Sequence, residues 1–86
     1  MNTPDAITRL ADLVRADCGA SEAARSVLAY AWNSRWPIRN LSKLDRGNRR
    51  AAIVVIDRDA AIEDSLIKAL VPEIYDWVDL ERGQKL

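Results

Sequence analysis

The stretch "LDRGNRRAAIVVID", residues 44–57, decides the fold class, because its second half is compatible with two kinds of secondary structure. The β-branched run "AAIVVI", residues 51–56, is typical of a buried strand, and "WPIRNL", residues 36–41, could pair with it as a hairpin. These are the only two strand candidates in the chain, however, and an isolated hairpin is marginally stable. Pro37 also removes a ladder donor. The hairpin, which would give an α+β fold, is therefore the alternative prediction.

The first half of the same stretch favours a helix. Asp45 is a good N-cap, and a helix from residue 46 through 57 would bury Ala52, Ile53 and Ile56 on one face. We therefore predict an all-α fold, a compact bundle of four to five short helices that opens with an αα-hairpin.

Two helices before this stretch form the predicted αα-hairpin. The first is expected over residues 4–18, with Thr3 as its cap and Gly19 as a left-handed stop. Ser21 is the expected N-cap of the second, which should end near residues 33–35, because the residue before the following proline is biased to an extended backbone. A tight glycine turn joins the two helices.

The rest of the chain is expected to hold one short helical turn and two more helices. The connector, residues 36–45, has the apolar spacing of a single helical turn. A helix is predicted over residues 59–71, and Pro72 opens or kinks the next segment. A last short helix around Trp77 should precede a flexible polar tail at residues 81–86.

Composition indicates one small soluble domain spanning residues 1–86. Apolar residues make up 49% of the chain and charged residues 30%, which is typical of a folded protein. No apolar run is long enough to span a bilayer, and "MNTPDAITRL" lacks the apolar core of a secretion signal, so we expect a cytoplasmic location. The lone Cys18 fits a reducing compartment and is expected to be a small buried hydrophobe.

The net charge of zero hides a division along the chain. Residues 1–56 carry nine basic and five acidic side chains, a net charge of +4, whereas residues 57–86 carry a net charge of −4. The two halves could fold together with their charges solvated or loosely paired. Alternatively, separate patches could steer partners of opposite charge.

Residue types argue against catalysis. The chain has no His, and its single Cys therefore lacks the usual base, while its three glycines are too far apart to form a phosphate-cradling loop. We expect no enzyme activity, no cofactor and no metal. The nearest approach to a metal site is an acidic group that we interpret as a solvated helix face; it comprises Asp57, Asp59, Glu63 and Asp64.

Nucleic-acid binding is a weaker prediction. The segment "ADLVRADCGASEAARSVL", residues 11–28, looks like a helix-turn-helix, but Arg15 and Arg25 stand where that motif needs a small and an apolar residue. Its second helix would also expose a poor recognition surface.

The tryptophans divide between core and surface predictions. Trp32 and Trp77 lie on predicted inner faces and are expected in the core. Trp36 lies outside any clear helical stripe, so a core position and a half-exposed one both stay open. A half-exposed Trp36 flanked by Arg35 and Arg39 would have the composition of an interface hot spot.

One segment resembles a known family. The run "CGASEAARSVLAYAWN", residues 18–33, followed by "NLSKLD", residues 40–45, resembles a small uncharacterised family carried by phages and integrative elements of proteobacteria. That family has a Gly-Ser helix start, an apolar helix that ends in Trp-Asn, and a Leu-x-x-Leu/Val-Asp capping step. The resemblance covers residues 10–56 through Gly19, Ser21, Leu28, Trp32, Asn33, Leu41, Leu44 and Asp45. These positions are structural, so the resemblance implies a genomic setting and no catalytic residues.

The resemblance implies a non-catalytic protein of a phage or mobile element. Small proteins of this kind often act by occupying a surface of a host complex, and anti-CRISPR proteins are one such class. We therefore expect an inhibitor or interaction protein that binds a host protein or a ribonucleoprotein complex, such as a CRISPR effector. A small DNA-binding regulator of a mobile element is the alternative.

Two surfaces are candidates for this contact. The basic surface comprises Arg35, Trp36, Arg39, Lys43, Arg46, Arg49 and Arg50. The acidic surface, which could imitate DNA phosphates, comprises Asp57, Asp59, Glu63, Asp64, Glu73, Asp76, Asp79 and Glu81. The zero net charge counts against full DNA mimicry.

Overall fold

The structure is a computed structural model that describes residues 1–57 and 64–84. These residues form five α-helices and a single 3-10 turn at Leu41–Lys43, and no strand occurs among them. The helices are α1 (Thr3–Arg15), α2 (Ser21–Trp32), α3 (Arg46–Ile56), α4 (Asp64–Leu70) and α5 (Ile74–Gln84). The predicted all-α bundle is therefore confirmed, and the alternative hairpin fold is wrong.

Helix α3 forms because Asp45 caps it. The Asp45 carboxylate accepts a hydrogen bond from the Asn48 backbone N–H at 2.9 Å, and the helix then runs through the whole β-branched segment. Its buried face consists of Ala51, Ala52 and Val55, which pack against α1 and α2.

The predicted inner face of α3 was wrong at Ile53, which is 53% exposed. Ile56 is half-buried and packs against the core. Every residue from 51 to 56 is apolar, so hydrophobic periodicity alone does not fix which side of this helix faces inward. The two alanines turn toward the neighbouring helices, and small side chains allow closely packed helices.

Both ends of α1 differ from the prediction. Asn2, and not Thr3, caps α1 by accepting a hydrogen bond from the Asp5 N–H at 2.8 Å. The helix ends at Arg15, and Asp17 takes the left-handed backbone conformation that was expected of Gly19, with φ of 50°.

Ser21 and Cys18 also have different positions from those predicted. Ser21 lies inside α2, where its Oγ accepts a hydrogen bond from the Cys18 N–H at 2.7 Å and donates one to the Leu13 carbonyl at 2.9 Å. Ala20 takes the N-cap position without a side-chain hydrogen bond. Cys18 is exposed, not buried, because it lies in the turn outside both helices.

The three tryptophans all contribute to the interior, to different degrees. Trp36 is buried at 7% exposure, so the alternative of a half-exposed hot spot is wrong. The chain turns at this point, with the Trp36 N–H bonded to the Asn33 carbonyl at 3.1 Å, and this turn brings the indole into the core. Trp77 is buried at 8%, and the half-buried Trp32 packs edge-on against Tyr75 with ring centroids 5.4 Å apart.

Helix α5 extends into the segment that was predicted to be a flexible tail. It continues to Gln84, and Glu81 is buried at 4% exposure, so the prediction is corrected for residues 81–84. Residues 85–86 lie outside the described part of the chain, as do residues 59–63 of the helix predicted over residues 59–71, which corresponds to α4 from residue 64 onward. Among the described residues, no helix combines the length and the hydropathy needed to cross a membrane.

Candidate binding groove on helix α3

The predicted basic surface does not form one patch. Trp36 is in the core, and Arg39 is largely covered. Arg35 and Lys43 are exposed, but they lie after α2 and in the 3-10 turn. The remaining three arginines, which we call the arginine face, are all exposed on α3; they are Arg46, Arg49 and Arg50.

Arg39 belongs to a buried set of charges that we call the inner ionic cluster, comprising Arg25, Arg39 and Glu81. The Arg39 guanidinium donates a short hydrogen bond to Glu81 Oε2, and Arg25 Nη2 lies 3.8 Å from the same oxygen. Only 3% of the Glu81 side chain is exposed. The basic connector thus meets the acidic C-terminal part of the chain inside the protein, where both charges hold the fold together.

A second ion pair ties α1 to the segment before α5. Arg15 Nε and Nη2 each donate a hydrogen bond to the Glu73 carboxylate at 2.9 Å. This side-chain hydrogen bonding lowers the pKa of Glu73 below its usual value. The Arg15 guanidinium also lies 5.7 Å from the centre of the Trp77 ring, within cation–π range. The pair therefore links three parts of the chain.

The predicted acidic surface is also divided. Glu81 is buried and Glu73 is paired with Arg15, while Asp79 lies 3.7 Å from Arg82 on the same helix. The other described members are exposed but lie on or beside three different helices; they are Asp57, Asp64 and Asp76. Asp59 and Glu63 lie outside the described residues. No cluster of His, Cys, Asp or Glu that could hold a metal occurs within residues 1–57 and 64–84.

The arginine face borders a groove of about 380 Å³ along α3. Its lining consists of three arginines, one carboxylate and three apolar residues: Arg46, Arg49, Arg50, Asp45, Leu44, Ile53 and Val54. Residues 46, 49, 50 and 53 are spaced by three, four and seven positions, so they lie on the same side of the helix. A half-exposed aliphatic side chain therefore stands beside three cations.

The local structure holds this groove in place. The Arg9 guanidinium of α1 lies over Gly47, where a Cβ would collide with it, and Arg9 Nε donates to Asn48 Oδ1 at 2.8 Å. Arg49 Nη2 donates to the Leu44 carbonyl at 3.2 Å, which fixes the guanidinium beside the groove. The first turn of α3 is thus anchored to α1 and to the preceding connector.

The charge of the groove is not balanced within the described residues. Asp45 is the only carboxylate among the described lining residues, and it already accepts the capping hydrogen bond from the Asn48 backbone N–H. In the described ranges, no carboxylate lies within salt-bridge distance of Arg46 or Arg50. The groove therefore offers positive charge and hydrogen-bond donors next to an apolar surface.

The sequence predicted the arginines of this site but not its apolar part. Arg46, Arg49 and Arg50 were predicted as members of the basic surface, whereas Ile53 was assigned to the core. Once the helix is known, its register gives the missing signal, because Ile53 lies seven positions after Arg46 and so falls on the same side.

Comparison with known proteins adds a family and no activity. A family model described as "Family of unknown function (DUF7673)" matches residues 4–80, which include all of α1 but its first residue, α2 to α4 and most of α5. No curated protein and no solved structure matches the chain.

Proposed function

Because the chain belongs to the DUF7673 family, whose function is unknown, we propose its activity from its surface: it is a non-catalytic interaction protein that binds a protein partner through the groove on α3. The observation that carries this proposal is the exposed Ile53 beside three arginines on the same face of α3. Interfaces are enriched in arginine, and their apolar contacts provide the water-excluding centre. A groove with both features suits a protein surface.

Helix electrostatics support the proposal independently. The N-terminal end of a helix is positive, so cations in the first turn are unfavourable by a few tenths of a kcal/mol to about 1 kcal/mol. Helix α3 has no acidic residue in its first turn, which begins with Arg46 directly after the Asp45 cap. Such an arrangement lowers the stability of the helix, and local features of this kind are expected at functional sites.

The apolar part of the groove favours a protein over a nucleic acid. Arginines alone could bind phosphates, but the phosphate backbone offers no apolar surface to cover Ile53. Resemblance to a family of phages and integrative elements favours an inhibitor that occupies a host protein or ribonucleoprotein complex in the cytoplasm. A CRISPR surveillance complex, blocked in the manner of an anti-CRISPR protein, is the most specific form of this proposal.

The test is affinity capture with two matched double variants. Arg46→Glu with Arg50→Glu reverses two charges of the groove, whereas Arg35→Glu with Lys43→Glu makes the same change in net charge away from it. We expect a partner, identified from host lysate by mass spectrometry and then purified, to bind the wild type and the control variant. The groove variant should lose at least tenfold in affinity.

Equal binding by the groove variant and the control would contradict the proposal. A gel shift with duplex DNA tests the alternative of a DNA-binding regulator, because phosphate contacts weaken steeply as salt is added. Retention of DNA at physiological salt, lost in the groove variant, would replace the protein partner with DNA.

A further inference from the structure

The groove on α3 also indicates the kind of structure that it accepts. Resting on the proposed function, we infer that its occupant is an amphipathic helix of a partner protein, with apolar side chains against Ile53 and carboxylates opposite Arg46 and Arg50. Three properties of the site carry this inference: the backbone around it, the spacing of its residues and its charge.

The backbone and the lining exclude two common modes of peptide recognition. Addition of a strand requires an exposed sheet edge, and residues 1–57 and 64–84 contain no strand. Extended proline-rich segments bind aromatic grooves, but none of the seven lining residues in the part of the chain that the structure describes is aromatic. An amphipathic helix in a groove, or an acidic motif held by arginines, is the mode that fits these side chains.

The spacing of the lining favours the helix. From Arg46 to Ile53 the helix rises about 10 Å, which is two turns at about 1.5 Å per residue. Rows of side chains spaced by three and four form ridges, and such ridges pack into the grooves of a second helix. The half-buried Val54 extends the apolar surface beside Ile53, and the buried Leu44 lies beneath the groove, so a partner helix can bury apolar side chains against Ile53 and Val54.

The charge of the groove determines which side chains the partner helix should carry. A basic partner would meet three arginines and a single carboxylate that is already engaged in the cap. Carboxylates on the flanks of an apolar stripe would form charge-assisted hydrogen bonds with the guanidinium groups. Arg49 is already held by the Leu44 carbonyl, so ordering it on binding costs less conformational entropy.

A second copy of the chain is a poorer occupant than a foreign helix. Helix α5 is acidic on its outside and exposes Tyr75 and Leu80, but five positions separate them by about 140° around the helix. They therefore do not form one stripe. Tyr75 is also in contact with Trp32 and with the Lys68 ammonium, which lies 4.4 Å from its ring centre.

The test is a selection of displayed peptides on the purified full-length chain. The library holds helix-forming peptides of about twenty residues with randomised surface positions, and binders to the Ile53→Asp variant are removed by counter-selection. We expect the enriched peptides to carry apolar residues at i, i+3 or i+4 and i+7 with Asp or Glu beside them. Synthetic copies should gain helical circular dichroism on binding, and they should bind at least tenfold more weakly to Arg46→Glu with Arg50→Glu.

Controls keep the outcome interpretable. Ile53 is 53% exposed, so Ile53→Asp is expected to fold with an unchanged helical spectrum, and Ile53→Ala serves as a second variant. No groove-dependent enrichment, binders that stay extended, or binders without carboxylates would each overturn the inference. Self-association of the wild type that Ile53→Asp abolishes would overturn it too, in favour of a second copy.

The failure of this inference is distinguishable from failure of the proposed function. The helix inference fails if the groove-dependent peptides are not acidic helices, or if a phosphorylated peptide outcompetes them. Either result is still consistent with a groove that binds a protein. Retention of the purified partner by the arginine variant would instead remove the proposed function itself.

Discussion

Arg39 and Arg50 belong to the same basic stretch of the chain but lie in opposite environments. Arg39 faces inward, where it shares the Glu81 carboxylate with Arg25 and donates its backbone N–H to Ser26 Oγ at 3.0 Å. Arg50 faces outward on α3, beside Ile53, with no carboxylate within salt-bridge distance among the described residues. The inner ionic cluster supports the fold, and the arginine face is available to a partner.

The difference between Arg39 and Arg50 shows two consequences of the uneven distribution of charge along the chain. A chain whose first part is positive and whose last part is negative can use the opposite charges internally, as Arg39 and Glu81 do. Charged side chains that remain unpaired on the surface can attract other molecules, because exposed clusters of one sign steer association. If the comparison is correct, substitutions in the two regions should affect stability and binding in opposite ways.

The largest effect is expected at the buried end of the basic stretch. Trp36→Ala should reduce the free energy of unfolding by about 3–5 kcal/mol, because it leaves a cavity at a position that is 7% exposed. For a domain of this size that approaches the whole stability. Ile53→Ala is the control and should cost less than about 1 kcal/mol. Urea unfolding followed by circular dichroism measures both; equal losses would place Trp36 at the surface.

The next effect is expected in the inner ionic cluster. Glu81→Gln keeps the shape of the side chain but leaves Arg25 and Arg39 without their shared counter-charge, so we expect a loss of about 2–3 kcal/mol. This figure is lower than for fully buried pairs, because the arginine side chains are 13% and 22% exposed and can regain some solvent. Asp79→Asn on the same helix, in an exposed pair, should change stability by less than about 0.5 kcal/mol. Similar losses for the two variants would contradict a structural role for the cluster.

A smaller effect should appear as a dependence on pH. The Arg15 hydrogen bonds lower the pKa of Glu73 in the folded state, so this pair contributes stability above the usual carboxyl pKa and loses it as pH falls through the lowered value. Glu73→Gln should therefore be less stable than the wild type by up to about 1 kcal/mol at neutral pH. The two proteins should converge in strong acid. Urea unfolding of both at several pH values measures this gap, and a gap that widens on acidification would contradict the assigned pair.

The sequence predicted the helices better than it predicted their faces. The Asp45 cap, together with Pro37 and the marginal stability of an isolated hairpin, favoured helix over strand for residues 46–56, and the cap is a local signal that the structure contains. The local sequence did not determine which side of α3 faces the core, because residues 51–56 are all apolar and offer no polar side to face the solvent. The exposed position of Ile53 therefore follows from the register that it shares with Arg46 on α3, together with the packing of the opposite face on α1 and α2.

Long-range contacts limited the prediction of the site. Arg39 looked like part of a binding surface, because nothing in the local sequence indicates that Glu81 of α5 will reach it. Glu81 looked like part of a polar tail for the same reason. The burial of Trp36 depends on the conformation of a loop, where neither helical nor strand periodicity specifies the direction of a side chain. The arginines of α3 were predicted as part of a basic surface and are exposed, and the helix then places them on a shared face by their spacing of three and four.

The smallest effect on stability is the most informative about function. Arg46 opens α3 at the positive end of the helix, so Arg46→Glu should raise the free energy of unfolding by about 0.5–1 kcal/mol. The same substitution should weaken the complex with an acidic helix, because it places a carboxylate where the partner's carboxylate binds. Arg46→Gln, which removes the charge without reversing it, should have an intermediate effect on both. Urea unfolding and peptide titration on the same protein samples measure the two quantities. A fall in stability on Arg46→Glu would assign this arginine to the fold, whereas a gain in stability with a loss of binding means that the charge is maintained against the helix dipole for the sake of a partner.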